Sequence, residues 1–161
     1  MSPRYRLLIV ITAVIVALDQ LTKVYIEKSF ALHETFRVIP NFFNITSVRN
    51  QGAAFGFLAD SSIREPFFIT ISTVAGLAIL WYIHHLPEDQ KGFIFPLTLI
   101  FAGAMGNLID RIRLGEVIDF IDVHWYGHHW PAFNVADSAI SLGVGLLLFF
   151  MWQHEKEKLS R

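Results

Sequence analysis

Four apolar runs, at about residues 7–26, 67–84, 93–111 and 135–154, constrain this chain more than any other feature. Each is close to 20 residues, enough at about 1.5 Å per residue for a helix to cross a hydrocarbon core. In lipid every backbone N–H and C=O must be satisfied within the protein, so a spanning segment is a helix or part of a closed barrel. The runs predict an all-α membrane protein, a four-transmembrane-helix bundle forming one integral membrane domain over residues 1–161. A hydrophobic fraction of 53% against 17% charged, with fifteen Phe and four Trp, agrees with that class. Small residues recur at four-residue spacing, as Ser72 with Gly76, Ala102 with Gly106 and Ala139 with Gly143, which lets helices approach closely in lipid. Trp81, Tyr82, Trp125, Tyr126, Trp130 and Trp152 fall near the ends of the runs, where interfacial anchors belong.

The first run follows a short basic start and could pass for a secretory signal peptide. It has no small-x-small cleavage site and continues into Val16-Ala17-Leu18-Asp19-Gln20, so it reads as a retained helix. Four spans put both termini on one side. Arg4, Arg6, Lys91, Lys156, Lys158 and Arg161 sit there in short segments, while Lys28, Arg37, Arg49, Arg64, Arg111 and Arg113 lie opposite in longer ones. Local Lys and Arg density orients helices, which predicts cytoplasmic termini. Asn50, Arg111, Asp119 and Asp137 then share the outer face.

Between the first two spans, about residues 28–65 form an extracytoplasmic subdomain. Thr35–Ile39 and Phe42–Val48 are β-branched and aromatic, split by Pro40-Asn41, which signals a hairpin. Asn50 to Leu58 is small and apolar, too short to span, and reads as an interfacial element. About residues 112–134 form a second extracytoplasmic loop.

Several functions are excluded. The net charge of -1 does not suit nucleic acid. The absence of Cys removes disulfides, thiolate metal sites and a cysteine nucleophile. His124, His128 and His129 invite a metal reading, but Gly127 and Pro131 disfavour a helix there and no H-E-x-x-H is present, so no metal and no cofactor is expected. A serine nucleophile with Lys23 as base lacks an elbow motif to present it.

The remaining chemistry is carboxylate and amide. Asp19, Lys23 and Glu27 share one helix face, either as a salt-bridge ladder emerging into headgroups or as a brace behind a site. Asn107 and Arg111 lie four apart at the end of the third span, with Asp110 turned away and structural. Asn134 resembles an N-cap and Asp137, three residues on, its capping-box partner. Asp119, in Val117-Ile118-Asp119-Phe120, has no such local explanation, whereas Asp122 reads as solvated. If Asp119 and Asp137 meet, two carboxylates in a low-dielectric cleft share a proton and perform acid–base work as a pair. A helix N-terminus favours charge on Asp137, leaving the proton on Asp119. A small ion or proton transporter, or a structural subunit with polar packing residues, would use the same acids differently.

Five motifs in order, Asp19-Gln20-Leu21-Thr22-Lys23, Asn50-Gln51-Gly52-Ala53-Ala54-Phe55, Gly103 through Arg111, Val117-Ile118-Asp119-Phe120 and Phe133 through Ser138, give a chain that resembles bacterial signal peptidase II, the lipoprotein signal peptidase family, over nearly its whole length. Ala102 departs from a glycine common in the family at that place. The resemblance implies an inner-membrane aspartic endopeptidase that cleaves diacylglyceryl-modified prolipoproteins just before the lipidated cysteine. It implies Asp119 and Asp137 as catalytic dyad, and Asn50, Asn107, Arg111 and Asn134, with Asp19 and Lys23 behind them, as residues that line or support the substrate site. It further implies a small extracytoplasmic β-cradle beside the four helices and inhibition by globomycin. A monomer in membrane lipid is expected. The family reading is preferred over the ladder for Lys23 and over the plain cap for Asp137, because neither explains the other polar residues on the same face.

Overall fold

The structure, a computed structural model, describes residues 2–52 and 63–159. In chain order it forms α1 (Pro3–Ser29), β1 (Thr35–Ile39), β2 (Phe43–Asn50), α2 (Arg64–His85), a short 3₁₀ segment (Glu88–Phe93), α3 (Ile94–Leu114), β3 (Val117–Trp125), β4 (His128–His129) and α4 (Val135–Leu159). All four α-helices are long and apolar enough to cross a membrane. They run past the apolar spans into polar flanks. Backbone hydrogen bonding continues there while side chains reach water.

Helix α3 is the centre of the bundle. More than half of its apolar window, 56%, is buried within the protein, against 11–17% in the other three. The outer helices leave large apolar side chains uncovered: Leu21 is 68% exposed, Leu77 62% and Leu148 61%. An apolar surface this continuous is not tolerated in water and is natural against lipid tails. Close packing around α3 relies on the small residues. A Cβ on Gly76 would meet Met105, and one on Gly143 would meet the Pro96 carbonyl at 2.7 Å. Buried apolar side chains gather at both ends. One cluster joins Leu8, Ile83, Leu86, Phe93, Ile94 and Leu97, and the other joins Ile26, Ile118 and Phe120. At the first end Arg4 donates to the carbonyls of Ile83, His84 and Leu86 at 2.8–2.9 Å, satisfying the last turn of α2.

The expected hairpin forms as β1 and β2, but the all-α reading of the rest needs correction. The loop at 112–134 contributes two further strands, giving an antiparallel sheet in the order β1-β2-β3-β4. Val117 to Phe120 is buried on both faces, so the strand lacks the alternation that would have revealed it. The register places Asn50 opposite Val117 and Val48 opposite Asp119. Asn50 and Asp119 are therefore diagonal neighbours on one face. Phe133 is bridged to Ile121, with N···O distances of 2.8 and 3.1 Å, so the chain entering α4 is stitched to β3. Of the expected interfacial element, Asn50 to Gly52 extend from β2, and residues 53–58 lie outside the described residues.

The histidines fall on this sheet. His124 stacks on His129 at 4.5 Å, and His129 Nδ1 lies 2.7 Å from Asp122 Oδ1. Asp122 is not solvated as expected. It is 8% exposed and also accepts from Asn44 Nδ2 at 2.8 Å. Burial opposes its ionisation, but the hydrogen bonds from His129 and Asn44 outweigh it and hold the carboxyl below its ordinary range. Among the described residues no cluster of three potential ligands could hold a metal ion.

Candidate active site

Where β3, α3 and the start of α4 meet, Asn134 joins the two acids. Its Nδ2 donates to Asp119 Oδ1 at 2.7 Å, and its Oδ1 accepts the Asp137 backbone N–H at 2.9 Å. Asp137 Oδ2 accepts the Asn134 N–H at 3.2 Å in return, which completes the capping box. The cap and the site are thus one structure: Asp137 uses Oδ2 on the cap and turns Oδ1 to Asn107 Nδ2 at 2.7 Å.

Asp119 is 2% exposed and holds its second oxygen 2.8 Å from Asn50 Nδ2. The Asn50 amide cannot readily flip, because its Oδ1 accepts the Gly52 N–H at 2.8 Å. Gly52 has φ +86°, and a Cβ there would stand 2.6 Å from the Phe68 ring. That left-handed turn against an aromatic face suits glycine alone. Phe68 also carries the Arg111 guanidinium, 5.4 Å from its ring centroid. Its charge acts on Asp137, Asp119 and Asp110. Burial lifts the Asp119 carboxyl from its ordinary 3.8 to about 7, with the Asp137 charge adding to the rise and the Asn50 and Asn134 amides opposing it.

Behind the acids lies a closed ionic core. Lys23 Nζ, wholly buried, contacts Asp19 Oδ2 at 2.9 Å, Asp110 Oδ2 at 2.8 Å and Asn107 Oδ1 at 2.9 Å. Three acceptors match the three ammonium hydrogens. The arrangement also orients Asn107: with Oδ1 on Lys23, Nδ2 must face Asp137. Asp19 Oδ1 accepts the Ala136 N–H at 2.9 Å, tying α1 to the first turn of α4. Asp110 also accepts the Ile118 N–H at 3.2 Å and Gln20 Nε2 at 2.9 Å. A Cβ on Gly106 would meet Asp19 Oδ2 at 2.7 Å, so this core requires the glycine.

Of the two readings open for this helix face, the headgroup ladder is not what forms. Asp19 and Lys23 are 0% exposed and lie inside the bundle, while Glu27, a turn further on, pairs with Arg49 at 3.2 Å. Being sealed off, Asp19 and Lys23 support the site and do not line it. Asn107 and Asn134 are likewise buried behind the carboxylates, whereas Asn50 and the partly exposed Arg111 and Asp137 open outward. Lys23 Nζ is engaged by Asp19, Asp110 and Asn107 and has no open position from which to serve a serine as base. Two contributors were missed from the sequence. Gln20 links Asp110, Asp19 and the Gly106 carbonyl, and Phe68 carries both Gly52 and Arg111. Neither has a local signal, since a glutamine or phenylalanine in an apolar helix is ordinary.

Comparison with known proteins identifies the family of the chain. The family profile described as Signal peptidase (SPase) II matches residues 11–153. The chain is 50% identical to the lipoprotein signal peptidase of Geobacter metallireducens, covering 98% of each chain. With that of Syntrophotalea carbinolica it shares 51% identity over 93% of each. A solved bacterial membrane enzyme, determined by the in meso method at 2.3 Å, superposes with a TM-score of 0.82 at 38% identity, covering 94% of this chain and 90% of the other. A second, at 1.9 Å, gives a TM-score of 0.79 at 39% identity over 89% and 91%. The match spans all four helices and both halves of the sheet, and the chain belongs to the signal peptidase II family.

Proposed function

We propose that Asp119 and Asp137 are the catalytic dyad of an aspartic endopeptidase. The enzyme removes the signal peptide from prolipoproteins. The observation that carries the dyad is Asn134, whose one side chain holds Asp119 and the N–H of Asp137 within 2.9 Å. With one proton between them, the ionised carboxylate takes a proton from water as its oxygen attacks the scissile carbonyl, while the protonated one donates to the carbonyl oxygen. In the second half the C–N bond breaks, and the proton held by the dyad passes to the departing amine. Asp119, buried and lifted to about 7, is the natural holder of the resting proton. Asp137, at a helix N-terminus, is the natural anion.

In this reading Asn50 and Arg111 contact the substrate backbone near the scissile bond, and Asn107 and Asn134 keep the dyad oriented. The ionic core of Asp19, Lys23 and Asp110 is closed on itself and offers no pathway, which removes the motive for a transporter. The substrates are diacylglyceryl-prolipoproteins, cut just before the lipidated cysteine, and a globomycin-type inhibitor competes there. The chain spans the bacterial inner membrane four times as a monomer, with cytoplasmic termini and the sheet as an outer cradle.

Cleavage of matched precursors with and without the diacylglyceryl group tests this directly. Asp119→Asn and Asp137→Asn are each expected to lower the rate by about 10²–10⁴-fold, with folded protein still in the membrane. Full activity in either variant refutes the dyad, and equal cleavage of the unlipidated precursor refutes the substrate assignment.

A further inference from the structure

We propose that the end of the bundle away from the dyad carries a phospholipid site, shaped for a zwitterionic headgroup with a primary ammonium, as in phosphatidylethanolamine. A cavity of about 580 Å³ lies there between the end of α2, the 3₁₀ segment and the last turns of α4. Its α4 wall presents Leu147 and Met151, then His154 and Glu155, then Lys158. These are spaced by three or four residues and share one helix face. The change from apolar to charged follows a phospholipid from acyl chain to headgroup. Helix α4 has 25 residues, about 37 Å at 1.5 Å each, against a hydrocarbon core of about 30 Å. Starting at the sheet end, its last turns therefore reach the opposite headgroup layer.

A histidine ring lines the cavity. His154 Nε2 is buried without a partner among the described residues, and buried ring nitrogens are ordinarily satisfied. The ring stands edge-on to Phe93 at 6.0 Å, which holds it in place. Tyr82 and Gln90 bring side-chain donors for a phosphate oxygen to the same space as the His154 ring. Glu155 and Lys158 form no ion pair with any described residue. Lys158 complements a phosphate, and Glu155 complements an ammonium that can donate hydrogen bonds. A purely anionic headgroup meets Glu155 unfavourably, and a choline headgroup has no N–H to offer it.

The proposal rests on the four-span placement and not on the peptidase chemistry, so its readout is lipid retention. The full chain is equilibrated in detergent with equal amounts of palmitoyl-oleoyl phosphatidylethanolamine, phosphatidylcholine and phosphatidylglycerol, and retained lipid is identified by native mass spectrometry. Phosphatidylethanolamine is expected to exceed the other two by about tenfold. Glu155→Lys is expected to move the preference to phosphatidylglycerol. Should that variant fail to accumulate, Glu155→Gln, which removes only the charge, is expected to erase the preference over phosphatidylcholine. Equal retention of the three lipids, retention of detergent alone, a wild-type preference for phosphatidylglycerol, or a selectivity that the Glu155 variants leave unchanged overturns the proposal.

Discussion

Asn134 divides its amide between two acids, and that division has consequences at the scale of single residues. Its Nδ2 holds Asp119 while its Oδ1 and N–H engage Asp137, so the capping box that starts α4 also ties the two acids together. The Asp119 carboxyl, lifted by burial to about 7, links the site to pH in two ways. For activity, the shared proton leaves as pH rises past about 7, so kcat/KM is expected to fall on the alkaline side there. For stability, the folded carboxyl binds its proton more tightly than the unfolded one. Between the ordinary 3.8 and about 7 the folded state carries a proton that the unfolded state has lost, so stability falls as pH rises through that window. Melting in detergent from about pH 5 to about pH 8 is expected to decline more steeply for the wild type than for Asp119→Asn. Parallel curves contradict the assignment. Lys23 supplies a second test. Lys23→Met leaves Asp19 and Asp110 buried without their ammonium and is expected to cost about 3–5 kcal/mol, read as a lowered melting point. Adding Asp19→Asn is expected to cost less than the sum of the two single changes.

At the scale of elements, α3 and α4 meet through glycines because their backbones carry the site between them. A Cβ on Gly103 would run into the Ala136 carbonyl oxygen and stand 2.7 Å from Ile140. The first of these is backbone, so it cannot turn aside, and it lies one residue from Asp137. Gly103→Ala is expected to destabilise by about 1–3 kcal/mol and to lower kcat by moving the first turn of α4. Gly145→Ala is the control: nothing lies within 4 Å of its Cβ, and it is expected to be silent in both assays. The strands tell a complementary story. The β1–β2 hairpin was legible because its β-branched runs flank Pro40-Asn41, and Asn41 indeed takes φ 61°. Strand β3 was not, since Val117 to Phe120 are buried on both faces and each face carries an acid, Asp119 on one and Asp122 on the other.

For the whole molecule, the sheet is fastened to the bundle by ions at the rim. Arg49 on β2 meets Glu27 of α1 at 3.2 Å and Glu116 at 3.7 Å, and Arg113 of α3 approaches the same Glu27 at 4.0 Å. These partly exposed pairs contribute little individually, but together they tie β2 to the ends of α1 and α3 on the face that carries Asp119 and Asp137. The direction of that face is open to a clean measurement, because the chain has no Cys of its own. A single cysteine at Trp130, which follows β4 and is 70% exposed, is expected to react with a membrane-impermeant maleimide added outside. One at Glu155 is expected to react only after the membrane is opened. The reverse pattern inverts the proposed topology.

Length, apolarity and local spacing by themselves determined the four helices, the first hairpin and the cap at Asn134, because each depends on neighbours within about a turn or a strand. The five motifs named the family. What only the tertiary structure decided was desolvation. Asp19, Lys23 and Glu27 share one helix face by spacing, yet the first two are sealed in the bundle and the third meets Arg49 at the rim. Asp110 became the counter-charge of Lys23, and Asp122 became a buried partner of Asn44 and His129. A charge is solvated or buried according to what packs against it from distant parts of the chain, and spacing along one element carries no record of that.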